Sequence, residues 1–173
     1  MKHILLIGCM LVSSCTYQQN EIALERLDCR GIAEGITEGV KDTIPKLEPL
    51  INAMILVESR GDDSAYHTGE KAVGCLQIRP IMLKECNRIL ELIQSSKRYN
   101  LIDRWSRRKS IEIFTIINQY HNKDASYEEI ARFWNGGPSW IKKSGTKKYW
   151  KKVQKELKTI ESDEYSYYGV ATL

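Results

Sequence analysis

No apolar run in this 173-residue sequence reaches the roughly 18 residues that a membrane-spanning helix needs, which excludes a polytopic membrane protein. Proline and glycine are sparse, at 4 and 11 residues, which excludes collagen-like and proline-rich architectures. No convincing strand-type alternation occurs, so a mainly β chain is not expected. The cysteine spacing matches no metal motif, and no nucleic-acid-binding motif is present. What remains is ordinary globular composition, 42% hydrophobic and 28% charged, which argues against a disordered chain. Four Trp and nine Tyr can fill a core or line a groove. The length suits one domain with an appended segment.

Charge is unevenly spread. Residues 15–83 carry 7 Lys and Arg against 11 Asp and Glu, whereas residues 84–158 carry 18 against 8. A basic back half suits an anionic partner such as nucleic acid, a membrane surface or an acidic wall polymer. It also suits plain solvated faces on lysine-rich helices.

The N-terminus reads as a targeting segment. Met1-Lys2-His3 precede a short apolar run, Ile4 to Val12, and then Ser13-Ser14-Cys15. This is the pattern of a secretory signal over residues 1–14. Val12-Ser13-Ser14-Cys15 resembles the lipobox of bacterial lipoproteins, which implies cleavage before Cys15 and lipidation of that residue. Ordinary secretion with a cut near Ser14 is the alternative. Cys9 then leaves with the signal, so Cys29, Cys75 and Cys86 remain, an odd number that cannot all pair within one chain. Cys75 and Cys86 read as small buried hydrophobes, with no bridge predicted.

Residues 15–43 read as anchor and tether, because Gly31, Gly35 and Gly39 weaken any helix there. From Pro45 the pattern becomes helical. Leu47, Leu50, Ile51, Met54, Ile55 and Glu58 recur at helical spacing, with Gly61 as the stop. A polar loop over 61–71, able to hold a short hairpin, leads to a predicted short helix over about 72–79 that ends at Pro80. Further helices are marked by Met82, Cys86, Ile89, Leu90 and Ile93, and by Ile113, Ile116, Ile117 and Tyr120. Ser126 to Glu129 form a capping box opening a helix that Asn135-Gly136-Gly137-Pro138 ends. Tyr149, Trp150, Val153 and Leu157 mark the last helix. The predicted fold is mainly α, one domain over 44–160, with a polar tail over 161–173.

Glu58 occupies a position where the helical stripe calls for an apolar side chain. A carboxylate there is partly desolvated, which raises its pKa, and the negative end of the helix opposes ionisation further. A raised pKa keeps a proton available near neutrality, as a general acid requires. A Glu paired with Arg60 at a helix end is the ordinary alternative.

Four segments recur in a familiar order: Glu58-Ser59, then Gly74-Cys75-Leu76-Gln77, then Ala131 to Gly136 with Trp134-Asn135, then Tyr149. Over about 50–155 the chain resembles the soluble lytic transglycosylase family, relatives of goose-type lysozyme. The resemblance implies a single lysozyme-like domain with a groove for peptidoglycan glycan strands. It makes Glu58 the sole catalytic acid/base, with Ser59 beside it. Gln77 and Asn135 would hold sugar substituents, and the Tyr149 hydroxyl would orient the acid. Cys75-Leu76 stand where the family has Leu-Met, Trp134 where it usually has Tyr, losing the hydroxyl but keeping a face expected to stack on a sugar, and Lys71 where it has Gly. Gln77 and Asn135 also fit as turn hydrogen-bonders, and Trp134 and Tyr149 as core aromatics.

The activity so implied is cleavage of the MurNAc–GlcNAc bond with closure of a 1,6-anhydro ring, a reaction that asks for no cofactor and no metal. A hydrolase on the same bond would need a second carboxylate, for which Asp62, Asp63 and Glu70 are candidates. A non-catalytic wall-binding lipoprotein and a nucleic-acid binder are the other classes; an envelope address argues against nucleic acid. Expected partners are glycan strands, a membrane through the N-terminal lipid, and an envelope-spanning machine.

Overall fold

A computed structural model describes residues 43, 44 and 46–169, with side chains described as far as residue 162. The signal over 1–14, Cys15, Cys29 and nearly all of the 15–43 tether lie outside these residues. The described chain is mainly α, as the periodicity predicts. Helix α1 covers 46–59, and a two-residue hairpin follows, β1 (Tyr66–His67) against β2 (Ala72–Val73). Then come α2 (Pro80–Leu92), a 3₁₀ turn (Leu101–Trp105) and α3 (Arg107–His121). Helix α4 (Tyr127–Gly136), a second 3₁₀ turn (Gly137–Lys142) and α5 (Ser144–Gly169) complete it. Among the described residues no helix is long and apolar enough to cross a membrane.

Helix α1 runs through the core. Leu50, Ile51, Ala53, Met54 and Ile55 are all buried, in one core cluster with Leu76, Ile89, Phe114, Ile130 and Val153. Its start is tied down by Gln119, whose amide donates to Thr43 Oγ1, and by Tyr127, whose hydroxyl donates to the Lys46 carbonyl. Helix α4 begins as the sequence predicts, with Ser126 and Glu129 closing a reciprocal capping box. Cys75 and Cys86 are buried free thiols; burial pushes the Cys86 thiol up to about 12, so it is chemically quiet.

One expectation changes. Residues 72–79 are not a helix: Ala72–Val73 pair with β1, and a turn follows with Gly74 and Gln77 both at positive φ. Tertiary contact overrides local pattern here. Arg104 is buried and donates to the carbonyls of Lys71 and Ile78, stapling the loop to the 3₁₀ turn. Helix α1 stops at Arg60 and Gly61, both at positive φ: Arg60 N–H bonds the Leu56 carbonyl and Gly61 N–H the Ile55 carbonyl, with Gly61 at the stop the sequence predicts. Helix α5 runs on past Leu157 to Gly169.

Gly74 is where the loop closes on the 3₁₀ turn. Its φ is +77°, and a Cβ there would lie 2.1 Å from the Arg104 carbonyl oxygen. Backbone cannot yield as a flexible side chain can. Gly74→Ala should therefore cost at least about 3 kcal/mol, read as a lowered urea midpoint with an unchanged slope.

Candidate active site

The last turn of α1 delivers Glu58 to the rim of the core, where the apolar stripe gives way to a polar pocket. That pocket, about 360 Å³, is lined by Glu58, His67, Glu70, Gln77, Arg79 and Asn135, with Ala72, Met82 and Trp134 as its apolar wall. Each element contributes for a local reason. The hairpin brings His67 and Glu70. The tight turn brings Gln77, and Arg79 stands immediately before Pro80 opens α2. The Asn135-Gly136 corner brings Asn135 because Gly136 lets α4 pass against α5: a Cβ there would lie 2.5 Å from Thr146 Cγ2. Arg132 locks this corner, donating to Thr146 Oγ1 and Glu128 while its guanidinium lies over the Trp140 ring.

Helix α5 supplies Tyr149. Its buried hydroxyl donates to Glu58 Oε1 at 2.8 Å, across 91 residues of sequence. Desolvation pushes the Glu58 carboxyl from its ordinary 4.5 up to about 7, against the opposing pull of the Tyr149 hydrogen bond and of Arg79. The neighbouring Glu70 pushes it up as well. Tyr149 is itself held well above the ordinary tyrosine range by burial and by the adjacent carboxyl, so it remains a donor. The result is a carboxylic acid that keeps its proton to neutrality and can still release it, with a fixed hydrogen bond defining its orientation.

Gln77 pays a backbone cost to be here. Its φ is +46°, strain of order 1–3 kcal/mol for a residue with a side chain. Its amide nitrogen donates to the carbonyls of Ala65 and Gly74, which locks the side chain at the pocket wall.

The structure thus brings together Glu58, Gln77, Asn135 and Tyr149 from four separate segments. Two expected site residues fall elsewhere. Ser59 Oγ bonds back to the Ile55 carbonyl on its own helix and does not line the pocket. Trp134 borders the pocket but is only 3% exposed; its ring packs edge-on to Phe114 at 4.8 Å and its Nε1 donates to the Leu76 carbonyl. No open indole face is left for a sugar, so the core role wins for this residue. Of the acidic loop, Asp62 turns back onto Ser64, and Asp63 pairs with Arg107 at 3.0 Å. Only Glu70 faces the pocket, 3.5 Å from Arg79.

His67 and Arg79 were missed from sequence. Arg79 stands two residues past Gln77 beside a helix-opening Pro, and no periodicity marks it as inward-facing. Among the described residues, no group of three or more His, Cys, Asp and Glu side chains is arranged to hold a metal ion.

Tyr149→Phe tests the hydrogen bond. It removes an interaction that lowers the Glu58 pKa, so the pKa should rise further and the alkaline limb of any pH–rate profile should move upward. Loss of orientation should cost about tenfold in turnover, on the scale of one lost hydrogen bond to a charged group. A limb that stays in place would separate Tyr149 from the acid.

No protein-family model matches the chain, and comparison with curated proteins and with solved structures found no match.

Proposed function

We propose that this chain is a peptidoglycan lytic transglycosylase built on a lysozyme-like domain, with Glu58 as its single general acid/base. The observation that carries this reading is the Glu58–Tyr149 pair: a carboxyl with a pKa near 7, oriented at 2.8 Å in a polar pocket beside Gln77 and Asn135. The neutral Glu58 carboxyl gives its proton to the glycosidic oxygen as the MurNAc C1–O bond breaks through an oxocarbenium-like state. The MurNAc C6 hydroxyl then bonds to C1 and yields its proton to the Glu58 carboxylate. The acid is regenerated, the ring closes as a 1,6-anhydro sugar, and no water is consumed. Arg79 and the exposed Asn135 amide offer donors to sugar substituents and stem carboxylates.

A hydrolytic outcome draws on one observation, that Glu70 lines the same pocket. Its carboxylate lies 3.5 Å from Arg79, and it is the side chain that would have to activate water. Mass analysis of products from purified sacculi separates the readings. The transglycosylase yields anhydro ends, one water lighter than the reducing ends of a hydrolase, and a wall-binding protein releases nothing.

The cell-envelope address is part of the proposal, with the protein facing the periplasm or the exterior and held by a lipid on Cys15. A fatty-acid analogue should label the wild-type chain and not Cys15→Ser; equal labelling of the two would end this part of the reading.

A further inference from the structure

Helix α5 has two faces of opposite character. Thr146, Tyr149, Val153 and Leu157 are buried against the rest of the fold. Lys147, Lys148, Lys151, Lys152, Lys155 and Lys158 are all exposed. At about 100° per residue these six lysines fall within an arc of about 140°, centred opposite the buried residues, and they extend about 17 Å along the helix. Glu156 and Glu161 lie outside that arc. Among the described residues no carboxylate comes within ion-pair distance of any of the six, whereas Lys97 and Lys109 are both paired. Lys147 and Lys151, Lys148 and Lys152, and Lys151 and Lys155 are like charges one turn apart, which weakens a helix. Lys147 and Lys148 also stand near the helix start, where the positive end of the dipole disfavours cations. Mixed charges would solvate the face equally well without this repulsion.

An apolar group stands at the leading end of this face. Ile141, in the 3₁₀ turn just before α5, is 71% exposed and lies outside the Glu58 pocket. Lys142 and Lys143 follow it, both exposed, and Lys143 Nζ donates to the Gly136 carbonyl. Lysine is a compact, strongly hydrated point charge on a long apolar stem, suited to scattered phosphates rather than to bidentate recognition of one group. A dissolved polyanion would leave Ile141 in water. A bilayer would take it below the phosphates that the lysines hold.

We propose that the lysine face of α5, with Ile141 at its leading end, docks this domain on an anionic lipid bilayer. Charge complementarity supplies the attraction, since each lysine near a negatively charged leaflet adds to binding. Ile141 supplies the apolar contact. The envelope address proposed above keeps a bilayer within reach, but the docking depends neither on a lipid at Cys15 nor on what Glu58 does. Tyr149 leaves α5 from the buried face to reach Glu58, so the docked helix lies between the bilayer and the Glu58–Tyr149 pair.

The test measures binding of the full chain, carrying Cys15→Ser so that no lipid contributes, to two kinds of vesicle. One is phosphatidylcholine alone, the other phosphatidylcholine mixed with phosphatidylglycerol. The anionic vesicles should bind at least about tenfold tighter, and the gain should shrink as salt rises. Replacing Lys147, Lys151, Lys155 and Lys158 together by Gln should remove that gain and leave the thermal midpoint in place. Should this variant melt early, the four single substitutions read the same loss in steps of up to about fivefold each. Replacing Lys46, Lys71, Lys84 and Lys123 by Gln removes the same charge from other exposed positions and should keep most of the gain. Ile141→Asn changes no charge and should weaken binding to the anionic vesicles at least about threefold, because full burial of an isoleucine is worth roughly tenfold or more. Equal binding to the two vesicles, equal losses in the two quadruple variants, or an Ile141→Asn chain that binds like its parent would overturn the proposal. So would a DNA duplex held through the same four lysines while the anionic vesicles are ignored, which would assign the face to nucleic acid.

Discussion

Glu58→Gln should lower turnover on sacculi by about 10²–10⁴-fold or more, the usual worth of general acid–base catalysis. The amide keeps the size and can still accept the Tyr149 hydroxyl, but it neither delivers nor takes a proton. Stability should hold or rise at the same time. The folded-state pKa of Glu58 is raised, from 4.5 to about 7, so the unfolded chain ionises first as pH increases. Below pH 4.5 the carboxyl is neutral in both states and costs nothing. Through the window from 4.5 to about 7 the folded state progressively loses stability, by at most about 3 kcal/mol. Gln has no such cost, so its advantage in thermal midpoint should appear above pH 7 and vanish below pH 4.5. The wild-type activity should fall as pH rises through about 7, because the reaction starts from the protonated acid. Activity of Glu58→Gln within a few-fold of wild type, with contamination excluded, would move the search to Glu70, the other carboxyl in the pocket.

Trp134→Ala should destabilise the fold by about 3–5 kcal/mol, the range for emptying an aromatic site in a core. The indole is almost fully enclosed, braces Phe114, and reaches across to the Leu76 carbonyl, joining α4 to the turn that holds Gln77. Loss of glycan binding should follow loss of folded protein, so that ligand affinity per folded molecule changes little by comparison. A variant that melts like the wild type yet loses its ligand would return Trp134 to the role of a stacking surface. Chemical denaturation followed by tyrosine and residual tryptophan fluorescence reads the difference.

The helices carrying the core were legible because burial imposes a 3.6-residue rhythm on side chains near in sequence. Leu47 to Glu58 illustrate this, as does the Ser126–Glu129 cap, which is local chemistry complete within four residues. The anomaly at Glu58 was legible for the same reason: a carboxyl breaks the rhythm at one position, which flags desolvation before any partner is known. Gln77, Asn135 and Tyr149 were reached through short motifs in a particular order, not through periodicity.

What the residue pattern misjudged depends on distant partners. Residues 72–79 look like an apolar helix until Arg104, far along the chain, takes the Lys71 and Ile78 carbonyls and holds a turn in place. Trp134 looks equally suited to groove or core, and only the packing of Phe114 and the Leu76 carbonyl decides. Arg79 and Glu70 meet because the hairpin and the turn after it bring the residue before α2 close to the hairpin's connecting turn. By itself, then, the sequence determined the mainly helical class, the core stripe of α1, the cap of α4 and the odd placement of one acid. Tertiary structure alone decided the pKa near 7, the Tyr149 hydrogen bond and the pairing of Glu70 with Arg79. The reason is range: helical periodicity is written within one or two turns, whereas desolvation and ion pairing are set by groups that only the folded chain brings within a few ångströms.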